Sequence, residues 1–471
     1  MGGWEMNVIR AIADKSARVA ALALSLALLL GLASVASAHT GDQTYLYLDI
    51  TQSSLTGRVE APIPDVRSVL GLSEDLGNQA VIDGHADEII DYLADHMVFG
   101  ADGQVWEASF DEPSVFFSEA DEEDDNYLVA PFTVAVGDTV PRSFDLRFDP
   151  FVDEVEGRSS LLLIANDYDG GVIENGWESL TAFDAGSREQ VIDLGEPSWF
   201  KNLMASIKQG VNHIQTGPDH ILFVLVLLLP AVLVFDQRWW PTSGFVSSLW
   251  RVLKIVTMFT IAHSITFTLA GLDLLPLPPS KLVEFIIALS IAAAALHNIR
   301  PVFPNREWAL SFAFGLFHGM GFASLVEGLD VSRNTQLISL LGRNIGIEIG
   351  QAVVVLLLFP ALYLLRRTRF FRPFFVGASV VMSVIALVWM IERLAETDLG
   401  ISAIIDPVFV WPRIFFIVIA LTLAAAAAYQ VESGSGRLLP TIDNRSAGSE
   451  YGSGDGDDDG TSPSRPVEAA V

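Results

Sequence analysis

From residue 217 to residue 429 the chain passes through seven long apolar stretches, near 217–236, 252–271, 282–299, 308–326, 337–364, 373–391 and 409–429. Each is long enough to cross a hydrocarbon core of roughly 30 Å as a helix, and the fifth has length to spare for tilting or for extending into the cytoplasm. With 51% hydrophobic and 18% charged residues, the 471-residue chain is too apolar for an ordinary soluble enzyme. The expected fold class is an α-helical polytopic membrane protein of about seven transmembrane helices, carrying an N-terminal β-rich extracytoplasmic domain.

Residues 1–38 read as a signal peptide: Arg10, Lys15 and Arg18 precede an apolar run over 19–32, and Ala36-Ser37-Ala38 supplies small residues for cleavage before His39. The span 39–198 is expected to be the extracytoplasmic domain. Short apolar stretches alternate there between turn residues, as at 45–48, 105–110, 129–134, 144–148 and 161–164, which predicts half-buried strands in a β-rich sandwich. One helix is predicted over 86–99, with Ile89, Ile90, Leu93 and Met97 on one face. The acidic run 119–125 reads as a solvated loop, and His85 and His96 as surface residues.

Residues 39–200 hold 35 Asp and Glu against 6 Arg and no Lys, so the whole net charge of −29 resides there. That acidity excludes nucleic acid as a partner of this domain, since phosphate contacts need cations. It serves solubility, and it would also attract cations towards the membrane. There is no cysteine, so any metal must be bound by nitrogen and oxygen.

A short amphipathic approach over 199–214 leads into the helical domain, assigned to 199–431. The connections after the first, third and fifth stretches carry Arg238 and Arg251, Arg300 and Arg306, and Arg366, Arg367, Arg369 and Arg372, whereas the others are acidic or poor in basic residues. Basic loops stay in the cytoplasm. The predicted arrangement is a multi-pass protein of the inner (cytoplasmic) membrane, with the N-terminal domain outside and a disordered acidic tail, 432–471, inside.

Ionisable side chains cost about 2.5 kcal/mol or more each at the centre of a bilayer, so they mark ion paths and binding sites. This chain has many: His213, Asp219 and His220 around the start of the first stretch, His263 in the second, Glu284 and His297 in the third, His318 in the fourth, and Asn344, Glu348 and Gln351 at i, i+4 and i+7 in the fifth. Alternating span directions put Asp219, His220, Glu284, Asn344 and Glu348 towards the outer side, with His263 and His318 near the middle. They are expected to meet in one cavity open to the outside. His297 lies at the opposite end, where snorkelling is the simpler reading. The metal-ligand candidates are therefore His213, Asp219, His220, His263, Glu284, His318, Asn344 and Glu348. Imidazole, carboxylate and amide oxygen without sulfur suit Ni²⁺, Co²⁺, Zn²⁺ or Fe²⁺. Gly342, Gly346 and Gly350, and Gly315 and Gly319, form small-residue ladders that let helices approach closely.

These blocks resemble the HupE/UreJ family of membrane accessory proteins. The resemblance is carried by His213 to His220 running into Ile221-Leu222-Phe223, by Phe259-Thr260-Ile261-Ala262-His263-Ser264, by Val283-Glu284 with Ala288-Leu289-Ser290, by Phe314-Gly315-Leu316-Phe317-His318-Gly319, and by Asn344-Ile345-Gly346-Ile347-Glu348. It implies a permease whose cargo is a divalent metal ion, nickel first and cobalt next, serving a metalloenzyme maturation system such as hydrogenase or urease. Two other classes share the residues: an intramembrane metal-dependent hydrolase using a metal-bound water, and a metal-sensing or assembly protein without transport. Nothing in the sequence fixes the oligomeric state.

Overall fold

The computed structural model describes residues 43–442 except 73–75, 77, 117–125, 156, 177, 243, 322–329, 398, 401–404, 406–407 and 409–412. The predicted signal peptide, the acidic loop at 119–125 and most of the tail lie outside the described residues.

The N-terminal region is built from strands β1 (Thr44–Ile50), β2 (Leu55–Pro62), β3 (Met97–Ala101), β4 (Gln104–Trp106), β5 (Ala108–Phe110), β6 (Ser114–Phe116), β7 (Tyr127–Val134), β8 (Ser143–Phe148), β9 (Ser160–Asp167), β10 (Thr181–Phe183) and β11 (Glu189–Asp193). Three short helices, α1 (Ile63–Leu70), α2 (Gln79–Gly84) and α3 (Ala86–Asp95), lie between β2 and β3. One sheet has seven strands in the order β10-β9-β1-β2-β7-β5, with β6 also on β7; the other has the order β11-β8-β3-β4. Within the first, β1 runs parallel to β9 and antiparallel to β2. Alternation sets the inner faces: Phe144, Leu146 and Phe148 of β8 point inward, and Phe99 of β3 meets Phe132 of the facing sheet with ring centroids 5.9 Å apart.

Two expectations need correction here. The helix predicted over 86–99 stops at Asp95, because His96 leaves the helical conformation and Met97 and Phe99 enter β3, where pairing with β8 takes their backbone groups. The stretch 105–110 is two strands in different sheets. The chain changes sheet at Glu107, whose carbonyl accepts from the Ala135 amide.

Arg142 closes the base of this region. Its guanidinium donates to both carboxylate oxygens of Asp167, at 2.8 and 2.7 Å, and to the carbonyls of Leu194 and Gly195, so the segment leaving β11 is held before the helices begin.

The remaining elements are α4 (Trp199–Thr216), α5 (Pro218–Ala231), the hairpin β12 (Leu233–Asp236) and β13 (Arg238–Pro241), α6 (Phe245–Gly271), α7 (Ser280–Ile299), α8 (Glu307–Gly321), α9 (Arg333–Leu365), α10 (Phe371–Ala395) and α11 (Arg413–Gly434). Among the described residues, α6, α7, α9, α10 and α11 are long and apolar enough to cross a membrane; α4 and α5, bent by 73°, add a sixth if taken as one broken span. Seven spans are not reached in these segments. The first predicted span, 217–236, is the 14-residue α5 followed by a hairpin, because Pro230 ends the hydrogen-bond ladder and Gln237 turns the chain at φ 58°. Helix α8, with 15 residues, is about 22 Å long over its described part.

Helix α4 departs most from its expected role as an interfacial approach. Its buried face is polar and small, with Asn202, Ser206, Gln209 and Gly210, while Trp199, Phe200 and Met204 are exposed. The polar face packs on α9: the Ser206 and Ser339 hydroxyls both donate to Asn202 Oδ1 at 2.9 Å. The ladder Gly342, Gly346 and Gly350 makes this approach possible, since a Cβ on Gly346 would run into the Ile207 carbonyl and Gly210. Gly315 and Gly319 serve α8 in the same way against α6.

Candidate metal centre

The centre begins where the chain breaks between α4 and α5. Pro218 brings no amide hydrogen to continue α4, so a new helix starts with Asp219 and His220 in its first turn. Gly217 is extended at this corner, and a Cβ there would press on His220 Nδ1 and Asp219 Oδ1, both 3.1 Å away. The break turns His220 back towards His213 of α4, with ring centroids 4.6 Å apart. His220 also meets His318 of α8 at 5.7 Å and His263 of α6 at 6.4 Å. Four imidazoles from four helices thus converge on one buried place. Phe223, Phe259 and Phe267 wall it: Phe223 and Phe259 lie 4.8 and 5.1 Å from the His318 ring, and Phe267 stacks on His263 at 5.8 Å.

Hydrogen bonding sets which nitrogens carry lone pairs. Asp219 Oδ1 lies 3.1 Å from His220 Nδ1; a carboxylate accepts, so the neutral ring carries its proton on Nδ1 and keeps the lone pair on Nε2. His318 Nε2 lies 2.9 Å from Ser290 Oγ, whose one proton goes to the Ile287 carbonyl at 2.7 Å. His318 must then donate from Nε2, which leaves the lone pair on its buried Nδ1. Both ring nitrogens of His263 are buried, and Asn344 of α9 is the polar side chain beside them. Two imidazoles on one ion with bonds of about 2.0–2.1 Å would have centroids roughly 5 Å apart, within the range observed. Among the described residues no three His, Asp or Glu side chains are set to hold an ion as they stand; His213, His263 and His318 each neighbour the central His220 instead of closing a finished cage.

The other candidates do not join them. Glu284 is half-exposed near the start of α7 and pairs at 2.9 Å with Arg393 in the last turn of α10, a contact that costs less desolvation at a helix end than one in the interior. This corrects the expectation that it reaches the common cavity. Glu348 is exposed on α9. Asn344 accepts from Ser264, the neighbour of His263, at 2.9 Å, and buried Gln351 accepts from Thr260 at 2.9 Å, so these amides join α9 to α6. His297 is buried instead of snorkelling: its Nδ1 accepts from the Val302 amide at 3.2 Å and caps the turn after α7.

Beside the rings lies a cavity of about 280 Å³ lined by Glu174, Gln209, Asn212, His213, Thr216 and Arg343, among others. It sits where the β-rich region meets α4 and α9. Glu174 accepts from Gln209, which accepts in turn from buried Arg343. Sequence reasoning missed all three, and also the part played by Ser290. Arg343 had a visible signal, a lone cation inside an apolar stretch; Glu174, one of many acidic residues, had none.

Residues 188–393 match the family model described as HupE / UreJ protein, a span that includes every one of these helices from α4 to the start of the last turn of α10. Over this span the chain is similar to the HupE/UreJ family. No curated protein and no solved structure matches the chain. The histidine centre and both glycine ladders lie inside the HupE/UreJ segment, whereas nearly all of the β-rich region lies outside it.

Proposed function

We propose that this HupE/UreJ-like protein is a membrane permease for a divalent transition-metal ion, with nickel the first candidate and cobalt the next, and that its β-rich region faces the extracytoplasmic side. The reading rests on one observation above all: three imidazoles from three helices surround a fourth, His220, with Asp219 and Ser290 leaving lone pairs on His220 Nε2 and His318 Nδ1. Ligands grouped about a central imidazole suit a passing ion, because it can exchange one nitrogen for another at short steps. The family match supports a metal transport or accessory role.

Purified protein in sealed vesicles, assayed in parallel for flux of Ni²⁺, Co²⁺, Zn²⁺ and Fe²⁺, tests this. Saturable flux of at least one ion is expected, falling at least tenfold in His220→Ala at equal incorporation. Unchanged flux in that variant would remove the histidines from the path. Binding without flux in the parent protein would instead favour a sensing or assembly role.

A further inference from the structure

The cavity beside His213 has a feature that a path for bare cations does not call for. Arg343 is 6% exposed, and its one hydrogen-bond acceptor among the described residues is Gln209 Oε1. Gln209 is also what separates it from Glu174, the nearest acid in the cavity lining, since the amide bridges the two. No ion pair reaches Arg343 among the described residues. None of its N–H groups is among the buried ones left without a partner, its guanidinium lies 5.8 Å over the Phe267 ring, and the residue lines the cavity that His213 also lines. A buried guanidinium without a counter-ion is costly, and one offering several coplanar donors to an open space is built to meet a carboxylate in a bidentate way. A hydrated divalent cation alone would be repelled from the same space.

We propose that this cavity binds a small carboxylate that arrives as a ligand of the metal ion. Arg343 takes the carboxylate, while His213 and Glu174 face the metal. The cargo received at this site is then a metal–carboxylate chelate, and the carboxylate is shed before the ion enters the cluster of imidazoles, where the walls are aromatic. The inference rests on the permease reading and names the form in which its substrate is received.

The absence of cysteine provides the test. In full-length protein in nanodiscs, Asn212→Cys places a single thiol in the cavity, and its modification by a charged maleimide is followed with citrate as probe. Citrate is expected to protect the thiol in a saturable way, while sodium chloride of equal ionic strength does not. Adding Arg343→Gln should shift half-protection by citrate at least tenfold upward, and Arg343→Lys, which keeps the charge but not the fork, should fall between. In the vesicle assay, equimolar citrate should lower the Ni²⁺ concentration for half-maximal flux, and Arg343→Gln should abolish that benefit. Protection by citrate no better than by chloride overturns the proposal, as does equal protection with and without Arg343; the first comparison needs no arginine variant to fold. Absence of flux in the parent protein defeats the permease reading instead, and leaves the citrate result standing by itself.

Discussion

Because Ser290 gives its proton to the Ile287 carbonyl, it can only accept from His318, and this one hydroxyl decides which face of the imidazole is presented to the centre. Groups that fix the tautomer of a ligating histidine change metal affinity by about 10- to 100-fold. Ser290→Ala should therefore raise the ion concentration for half-maximal flux roughly tenfold, with normal protein levels in the membrane. An unchanged half-saturation would show that His318 works without a fixed tautomer. The histidines themselves were legible in the sequence, since imidazole in a lipid-length apolar stretch has few other reasons to be there. The two glutamates were not, because depth along a helix says nothing about direction around it. Glu348 stands about 40° around α9 from Asn344 and about 60° from Gln351, which puts it at the rim of the shared face, and the structure leaves it exposed while Gln351 is buried.

At the scale of elements, the α4–α9 pair holds His213 where His220 can reach it. Its closeness depends on Gly346, where a side chain would strike the Ile207 carbonyl and Gly210. Gly346→Leu should lower the midpoint of thermal unfolding in detergent, since overpacking costs typically about 1–3 kcal/mol, and reduce flux with it. Gly377→Ala on α10, where a Cβ meets nothing within 4 Å, is the control and should leave both unchanged. A midpoint unmoved by Gly346→Leu would mean that the helices part without cost. The glycine ladder could be read from its four-residue spacing, but its partner could not. Helix α4 hides polar residues and exposes apolar ones, so a pattern judged by the rule for water-soluble helices assigns its two faces the wrong way round. The short α8 and the hairpin after α5 escaped for a related reason: an apolar run gives length, not the point where a proline ends the ladder.

Across the whole molecule, the β-rich region is fastened to the helices at several places. Asp330, just before α9, accepts from the Ser53 amide at 2.8 Å and from the Ser53 and Thr51 hydroxyls, and its carbonyl accepts from the Gln52 amide at 2.8 Å. Thr335 at the start of α9 donates to Asp169 at 2.6 Å. The Ser53 hydrogen bonds hold the Asp330 carboxyl below the usual carboxylate range. A depressed value means that the contact is fully present above the ordinary carboxylate pKa of about 3.9 and is lost only as pH falls through the lower, folded value. Amide exchange at Ser53 should accordingly be slow and insensitive to pH-driven opening between neutral pH and about pH 5, and should quicken at neutral pH in Asp330→Ala. Equal exchange in the two proteins would show that this contact does not fasten the regions. Alternation foretold the strands but not the crossing at Glu107, because a strand that changes sheets keeps its period of two.

Helix α4 also works as a lever. At 18 residues it is a rod about 27 Å long, fixed near its first turn by the Ser198 cap and by the segment that Arg142 clamps, and bearing His213 in its last turn. Tilting such a rod by about 5° about its fixed end sweeps the far end through about 2 Å, the span between a nitrogen that touches an ion and one that does not. A small rocking of the β-rich region would therefore be magnified at the imidazole that α4 carries to the cluster.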